Sequence, residues 1–257
     1  MKKLLTAIIV LLTLSATAQR GPDVSIEHYY HIKRGNVWFH ATRLMYGYQD
    51  GIKYPKTETD TIYFYNNMDK ALEYSFQKLP DFLSVQIIPP DVPAKTEGKI
   101  AVAYDTKIKD TYGPTFDYFF MKTNDSERAK KRLIVSPKIK QDFSGLSEKE
   151  LANAPKIAFE NKKYDFGTLE QGEKITHTFR FTNEGKRDLI IRAMNASCGC
   201  TSPEPEKKQI APGESGAIKV IFNSSGKIGR QHQRVTVITN DPEHPVTKLH
   251  LNGVVKK

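Results

Sequence analysis

Apolar and polar residues alternate along most of this chain with a period of two, the spacing of a β-strand that buries one face. From Asp60, Ile62 and Phe64 oppose Thr61, Tyr63 and Tyr65, and Asn66-Asn67 supplies a turn. Lys99 to Tyr104 aligns Ile100, Val102 and Tyr104. Thr115 to Met121 predicts an aromatic-rich strand closing at Thr123-Asn124-Asp125, and Leu133 to Val135 a fourth. Leu79-Pro80-Asp81 and Pro89-Pro90-Asp91 break the pattern. Residues 22–45 predict short strands around Tyr29, Tyr30, Trp38 and Phe39.

The same order then returns. Ile175, His177, Phe179 and Phe181 alternate up to Asn183-Glu184-Gly185, and Leu189 to Ala193 follows. Ala211-Pro212-Gly213-Glu214 suits a type II turn, Pro presetting φ and Gly accepting a positive one. Ile218, Val220 and Phe222, then Val235 and Val237, then Leu249 and Leu251 complete the series. Phe64 and Asn66 answer Phe181 and Asn183, and Gly98 to Val102 answers Gly216 to Val220. Thr123-Asn124-Asp125 answers Thr239-Asn240-Asp241, about 117 residues on. A repeat of that length means duplicated domains, not solenoid units. The expectation is an all-β chain of two tandem immunoglobulin-like β-sandwiches, over 22–140 and 156–257. In the linker, 141–155, Ser147 and Glu150 can form the capping box of a short helix that Pro155 stops.

Residues 1–18 stand apart. Met1-Lys2-Lys3, an apolar run from Leu4 to Leu14 and the small residues Ala16-Thr17-Ala18 follow the plan of a secretory signal peptide. The apolar run is too short to span a bilayer, no cysteine follows it for lipid attachment, and no later run is long and apolar enough to cross. The formal charge of +10 falls to about +8 without Lys2 and Lys3. Such a balance favours anionic lipid, polysaccharide or another polyanion. The densest basic cluster, Arg128, Lys130, Lys131 and Arg132, reads as a solvated loop and strand start. No aromatic residue interleaves with it, so nucleic acid is not an expected partner. Trp38, Tyr46, Tyr48, Tyr118 and Phe120 offer stacking on sugars. Both faces of the strand at 115–121 are apolar, however, and packing is the expected use.

Four motifs carry a family resemblance. They are Tyr164-Asp165-Phe166-Gly167, Phe181-Thr182-Asn183-Glu184-Gly185, Ser197-Cys198-Gly199-Cys200-Thr201-Ser202-Pro203 and Pro212-Gly213-Glu214-Ser215-Gly216. In that order, across about 157–254, they resemble the domain of unknown function family numbered 1573. The family is common in secreted and envelope proteins of Bacteroidota-type bacteria and is similar to Hydin and major-sperm-protein sandwiches. The resemblance implies that fold and the periplasm or surface of a Gram-negative cell. It carries no catalytic residues to transfer. The first half lacks the cysteine pair and the Pro-Gly turn, and resembles a diverged copy.

Cys198 and Cys200 are the two cysteines of the chain. An exported chain meets oxidising conditions, where these two can close a small disulfide. Alternatively, two thiolates can hold copper or another soft metal with His177 as a third ligand, or exchange electrons with another protein. The first half reaches the corresponding region with Leu83-Ser84-Val85 and no cysteine. No His-Glu-x-x-His, Gly-x-Ser-x-Gly or phosphate-cradling loop is present, and no enzyme is expected. The chain therefore reads as an exported, non-enzymatic binding or structural module of the cell envelope. Its partner would be an envelope protein or a surface glycan, met most simply by strand addition at a sheet edge. The alternatives are a thiol-redox or copper-handling protein using Cys198 and Cys200, and a carbohydrate-binding module.

Overall fold

A computed structural model describes residues 24–46 and 51–257; the segment 1–18 and Tyr48 lie outside the described residues. The fold is all-β, in two compact units. The first takes 24–44, 58–104 and 116–136; the second takes 45–46, 51–57, 105–115 and everything from 137. The expected boundary at 141–155 is therefore not where the chain divides, because two excursions of the N-terminal half join the second unit. They build a small sheet in the order β4 (Ile52–Tyr54), β12 (Lys138–Gln141), β9 (Gly113–Pro114). Close packing holds them: a Cβ on Gly113, at φ +84°, would stand 2.6 Å from Ile238 Cδ1. The guanidinium of Arg192 lies 5.3 Å over the Tyr112 ring.

The first unit pairs a sheet ordered β1 (Ile32–Arg34), β2 (Val37–Phe39), β5 (Thr57–Asn66), β8 (Thr96–Asp105), β7 (Leu83–Ile88) with one ordered β3 (Arg43–Leu44), β11 (Lys130–Val135), β10 (Asp117–Thr123), β6 (Tyr74–Gln77). The expected apolar faces fill its core. Phe64, Ile100, Val102 and Tyr104 from one sheet, and Phe119, Met121, Leu133 and Val135 from the other, are wholly buried. Each such side chain contributes about 1.5–3 kcal/mol. The Tyr104 hydroxyl donates to Asp117 Oδ2 at 3.0 Å and ties β8 to β10.

The second unit pairs a sheet ordered β13 (Ile157–Phe159), β15 (Lys174–Asn183), β19 (Ser215–Asn223), β17 (Thr201–Pro205) with one ordered β14 (Lys163–Glu170), β21 (Val246–Lys256), β20 (Gly229–Thr239), β16 (Leu189–Ala196), β18 (Gln209–Ile210). Phe179, Phe181, Val220, Phe222, Val235, Val237, Leu249 and Leu251 form its core. Gly213 takes φ +75°, and the Glu214 N–H donates to the Ala211 carbonyl, as the expected turn requires. Three short helices complete the described residues: α1 (Ile26–Tyr29), α2 (Thr106–Lys109) and α3 (Glu148–Ala152). The last begins at the expected Ser147–Glu150 capping box.

The sequence repeat is a repeat of polar anchors, buried at Asn66, Asn183, Asp125 and Asp241 and half-buried at Asn124 and Asn240. Asn66 Nδ2 donates to the carbonyls of Lys70, Val92 and Pro93. Asn183 Nδ2 donates likewise to Arg187 and Ile210. Asn124 bridges Ala71 and Glu73, as Asn240 bridges Asp188 and Ile190. Asp125 accepts from the N–H groups of Asn36 and Glu127; Asp241 accepts from those of Ile157, Glu243 and His244. A Cβ on Gly98 would stand 2.6 Å from Phe64 Cζ, and one on Gly216 2.6 Å from Phe181 Cζ, so each glycine admits a ring. Neighbouring loops are fixed by these side chains because a buried backbone group without a partner is costly.

Candidate functional site

Cys198 and Cys200 lie in the loop between β16 and β17, where the chain leaves one sheet of the second unit for the other. The loop turns, bringing the two Cα atoms to 5.3 Å, and a disulfide joins the sulfurs. Ladder ends clamp it on both sides. The Ser197 N–H donates to the Arg234 carbonyl, and the Asn223 N–H donates to the Cys200 carbonyl. Gly199 at the tip is exposed, with open space around it. Cys200 rests against the core, whereas Cys198 faces polar groups. Gln233 Oε1 is 3.0 Å from Cys198 Sγ. A disulfide sulfur carries no proton, so this is a contact and not a hydrogen bond. The Thr201 hydroxyl lies 3.6 Å from Cys198 Sγ and 3.9 Å from Cys200 Sγ.

The corresponding turn of the first unit corrects the expected alignment. Thr201 pairs with Phe222, and Leu83 with Tyr104, so Leu83 stands where Thr201 does. The cysteines answer Pro80-Asp81-Phe82, not Leu83-Ser84-Val85. Both turns close alike: Leu83 N–H donates to the Pro80 carbonyl, and Thr201 N–H to the Cys198 carbonyl.

His177 does not join the cysteines, which corrects its reading as a third metal ligand. It pairs with Val220 in mid-strand, while the loop meets Asn223, whose partner is Lys174. Three residues along β15 and two strand spacings put the imidazole about 10 Å away in each direction. In the disulfide neither sulfur is a thiolate. Among the described residues, no three His, Cys, Asp or Glu side chains gather to hold an ion. Instead His177 stacks on Tyr164 at 3.7 Å and meets the edge of Phe179 at 4.6 Å. Burial lowers its pKa below the usual value. The fold thus resists protonating it, and stability falls as pH drops below the unfolded value of about 6.5. Urea midpoints at pH 7 and pH 5 should differ less for His177→Phe than for the parent; an equal difference would remove His177 from the acid response.

The first unit holds a second candidate, which the sequence conceals. Strand alternation splits the basic cluster. Lys131 points inward and is wholly buried, 2.7 Å from Asp125, whereas Lys130 and Arg132 point outward. Antiparallel register sets Arg132 against Phe120 and Lys130 against Lys122. Aromatic interleaving therefore exists, supplied by the neighbouring strand. Phe116 and Tyr118, expected to pack, are 53% and 37% exposed. Arg132 lies 4.3 Å over Tyr118, Lys130 4.2 Å over Phe120, Arg43 5.4 Å over Phe116 and Lys78 5.9 Å over Phe120. Ser75 and Gln77 complete the face, and its strands present no outward carboxylate. Asp117 points to the other side, toward Tyr104. Among the described residues none of these five cations, with Lys122 the fifth, is in an ion pair. The signal that finds this face is period two applied to the basic cluster itself.

Residues 157–255 match the family model described as Protein of unknown function (DUF1573), as the four motifs indicate. No curated protein matches the chain. Among solved structures, a protein of unknown function from Porphyromonas gingivalis W83 superposes with a TM-score of 0.61 at 16% identity, covering 86% of this chain and 100% of that one. At that identity it shows a shared fold alone. The PapD-like domain 7 of human CEP192 gives 0.36 at 14% identity, covering 46% of this chain and 95% of that one. The YadV chaperone gives 0.29 at 13%, covering 84% and 99%. No helix among the described residues is long and apolar enough to cross a membrane.

Proposed function

We propose that this protein is an exported, non-enzymatic binding module of the Gram-negative cell envelope, and that its partner is an anionic surface polysaccharide. The observation that carries the reading is the basic aromatic face on β3, β11, β10 and β6. Rings beneath the cations hold long side chains in place, which lowers the ordering cost of binding. Tyr118 and Phe120 each lie under a cation, at 4.3 and 4.2 Å, so the partner is met by charge before ring surface. Cations on alternate residues of one strand stand about 6.8 Å apart, a row suited to a linear polyanion.

A face is favoured over strand addition because the second unit blunts its edges. Pro203 and Pro205 remove donors from β17, β13 and β18 are short, and β14 bulges between Asp165 and Thr168 with Gly167 at φ +68°.

The mature chain should bind polygalacturonate and heparin but not dextran. The affinity should fall steeply between about 50 and 200 mM salt as counterions are released. The pair Lys130→Glu, Arg132→Glu, both exposed, should weaken binding on the order of a hundredfold with an unchanged circular dichroism spectrum. Equal binding by parent and variant would remove this face. Preference for single-stranded nucleic acid or anionic vesicles would replace the polysaccharide as partner.

A further inference from the structure

We infer that the Cys198–Cys200 disulfide is a site of stoichiometric thiol–disulfide exchange with a dithiol on an exported protein. This rests on the second unit alone and is independent of the basic face. The turn closes without the disulfide. The first unit closes the same turn through Leu83 and Pro80 without a disulfide. In the second unit, backbone hydrogen bonds at Ser197 and Cys200 also hold the loop, and neither involves a sulfur. A cross-link over two residues closes almost no loop and so constrains the unfolded chain little. The bond can therefore open and close with the fold intact.

Polar groups surround the two sulfurs. The Thr201 hydroxyl is within 3.6 and 3.9 Å of the two sulfurs, so its proton can serve either one as it leaves as thiolate. Gln233, nearly buried and held by Ser197 and Gln231, places Oε1 3.0 Å from Cys198 Sγ. The disulfide gives that acceptor nothing, whereas the Cys198 thiol donates to it. Reduction thus creates a hydrogen bond. A thiolate of the partner attacks one sulfur, the Cys198–Cys200 bond breaks, and a mixed disulfide forms. The partner's second thiolate then displaces the remaining cysteine. Two electrons pass to this chain, the partner is left with the disulfide, and the two protons from its thiols end on Cys198 and Cys200.

The test uses the full mature chain in glutathione redox buffers, with alkylation and intact mass as the readout. Two thiols should appear while the circular dichroism spectrum stays unchanged and the urea midpoint does not fall. Thr201→Val should slow opening about tenfold, the loss of one hydrogen bond to the leaving thiolate, and Thr201→Ser should restore it. A disulfide that opens only when the chain unfolds would overturn the proposal. So would equal opening rates in the parent, valine and serine forms.

Discussion

Replacing Asp125 by alanine should destabilise the first unit by about 3–5 kcal/mol, because it strands the ammonium of Lys131 inside the protein. Both side chains are wholly buried and stand 2.7 Å apart. Lys131 also donates to Thr123 Oγ1 and to the Arg128 carbonyl. Burial alone would push the Asp125 carboxyl up. The Lys131 ammonium and the N–H groups of Glu127 and Asn36 outweigh it and hold the group below the usual carboxylate range. The sign follows: a depressed carboxylate contributes stability above its unfolded value of about 3.9 and loses it as pH falls through the folded value. Asp125→Asn keeps an acceptor for the backbone but not the charge, and should cost nearly as much. Adding Lys131→Met to Asp125→Ala should recover most of the loss, because an apolar pair needs no counter-charge. Trp38, the single tryptophan of the chain, lies in β2 and reports this unit. Its urea midpoint should fall by about 2 M in Asp125→Ala, with a slope of about 1–3 kcal/mol per molar urea. A loss under about 1 kcal/mol would mean that Lys131 reaches water instead.

This pair also shows where the sequence was transparent. Period two was visible wherever one face was apolar, as in Ile62 and Phe64 or Ile100 and Val102, and those residues became core. The repeat was visible because such positions tolerate few residue types: Asn66 and Asn183, and Asp125 and Asp241, are buried polar anchors, and Gly98 and Gly216 each admit a ring. The basic face was concealed because it depends on register. Arg132 and Phe120 become neighbours only when β10 and β11 pair, and the turn between them sets that pairing. The excursions that form β4 and β9 were concealed because strands of two or three residues carry no periodicity. The cysteine spacing allowed a disulfide, a metal or exchange, and the turn at Gly199 is what brings the sulfurs together. His177 alternates with core residues, which the sequence displayed, but its distance from the cysteines follows from strand order.

Removing the side chain of Asn183 should cost the second unit about 3–5 kcal/mol. The amide is buried and makes four hydrogen bonds. Nδ2 donates to the Arg187 carbonyl at 2.8 Å and to the Ile210 carbonyl at 2.9 Å. Oδ1 accepts from the N–H groups of Gly185 at 3.0 Å and Lys156 at 3.3 Å. Each group left buried without a partner costs about 1–3 kcal/mol, and water entering the rim offsets part of the sum. Asn183→Asp should be worse than alanine, since a carboxylate facing two carbonyls replaces donors with charge. The Trp38 transition should stay in place in Asn183→Ala, while amide exchange of β15 and β19 accelerates. Asn66→Ala should do the reverse, lowering the Trp38 midpoint and sparing β15 and β19. If Asn183→Ala leaves β15 exchange unchanged, the repeated asparagine is not an anchor in this unit. The loops at Lys156, Gly185 and Ile210 would then be held by strand pairing alone.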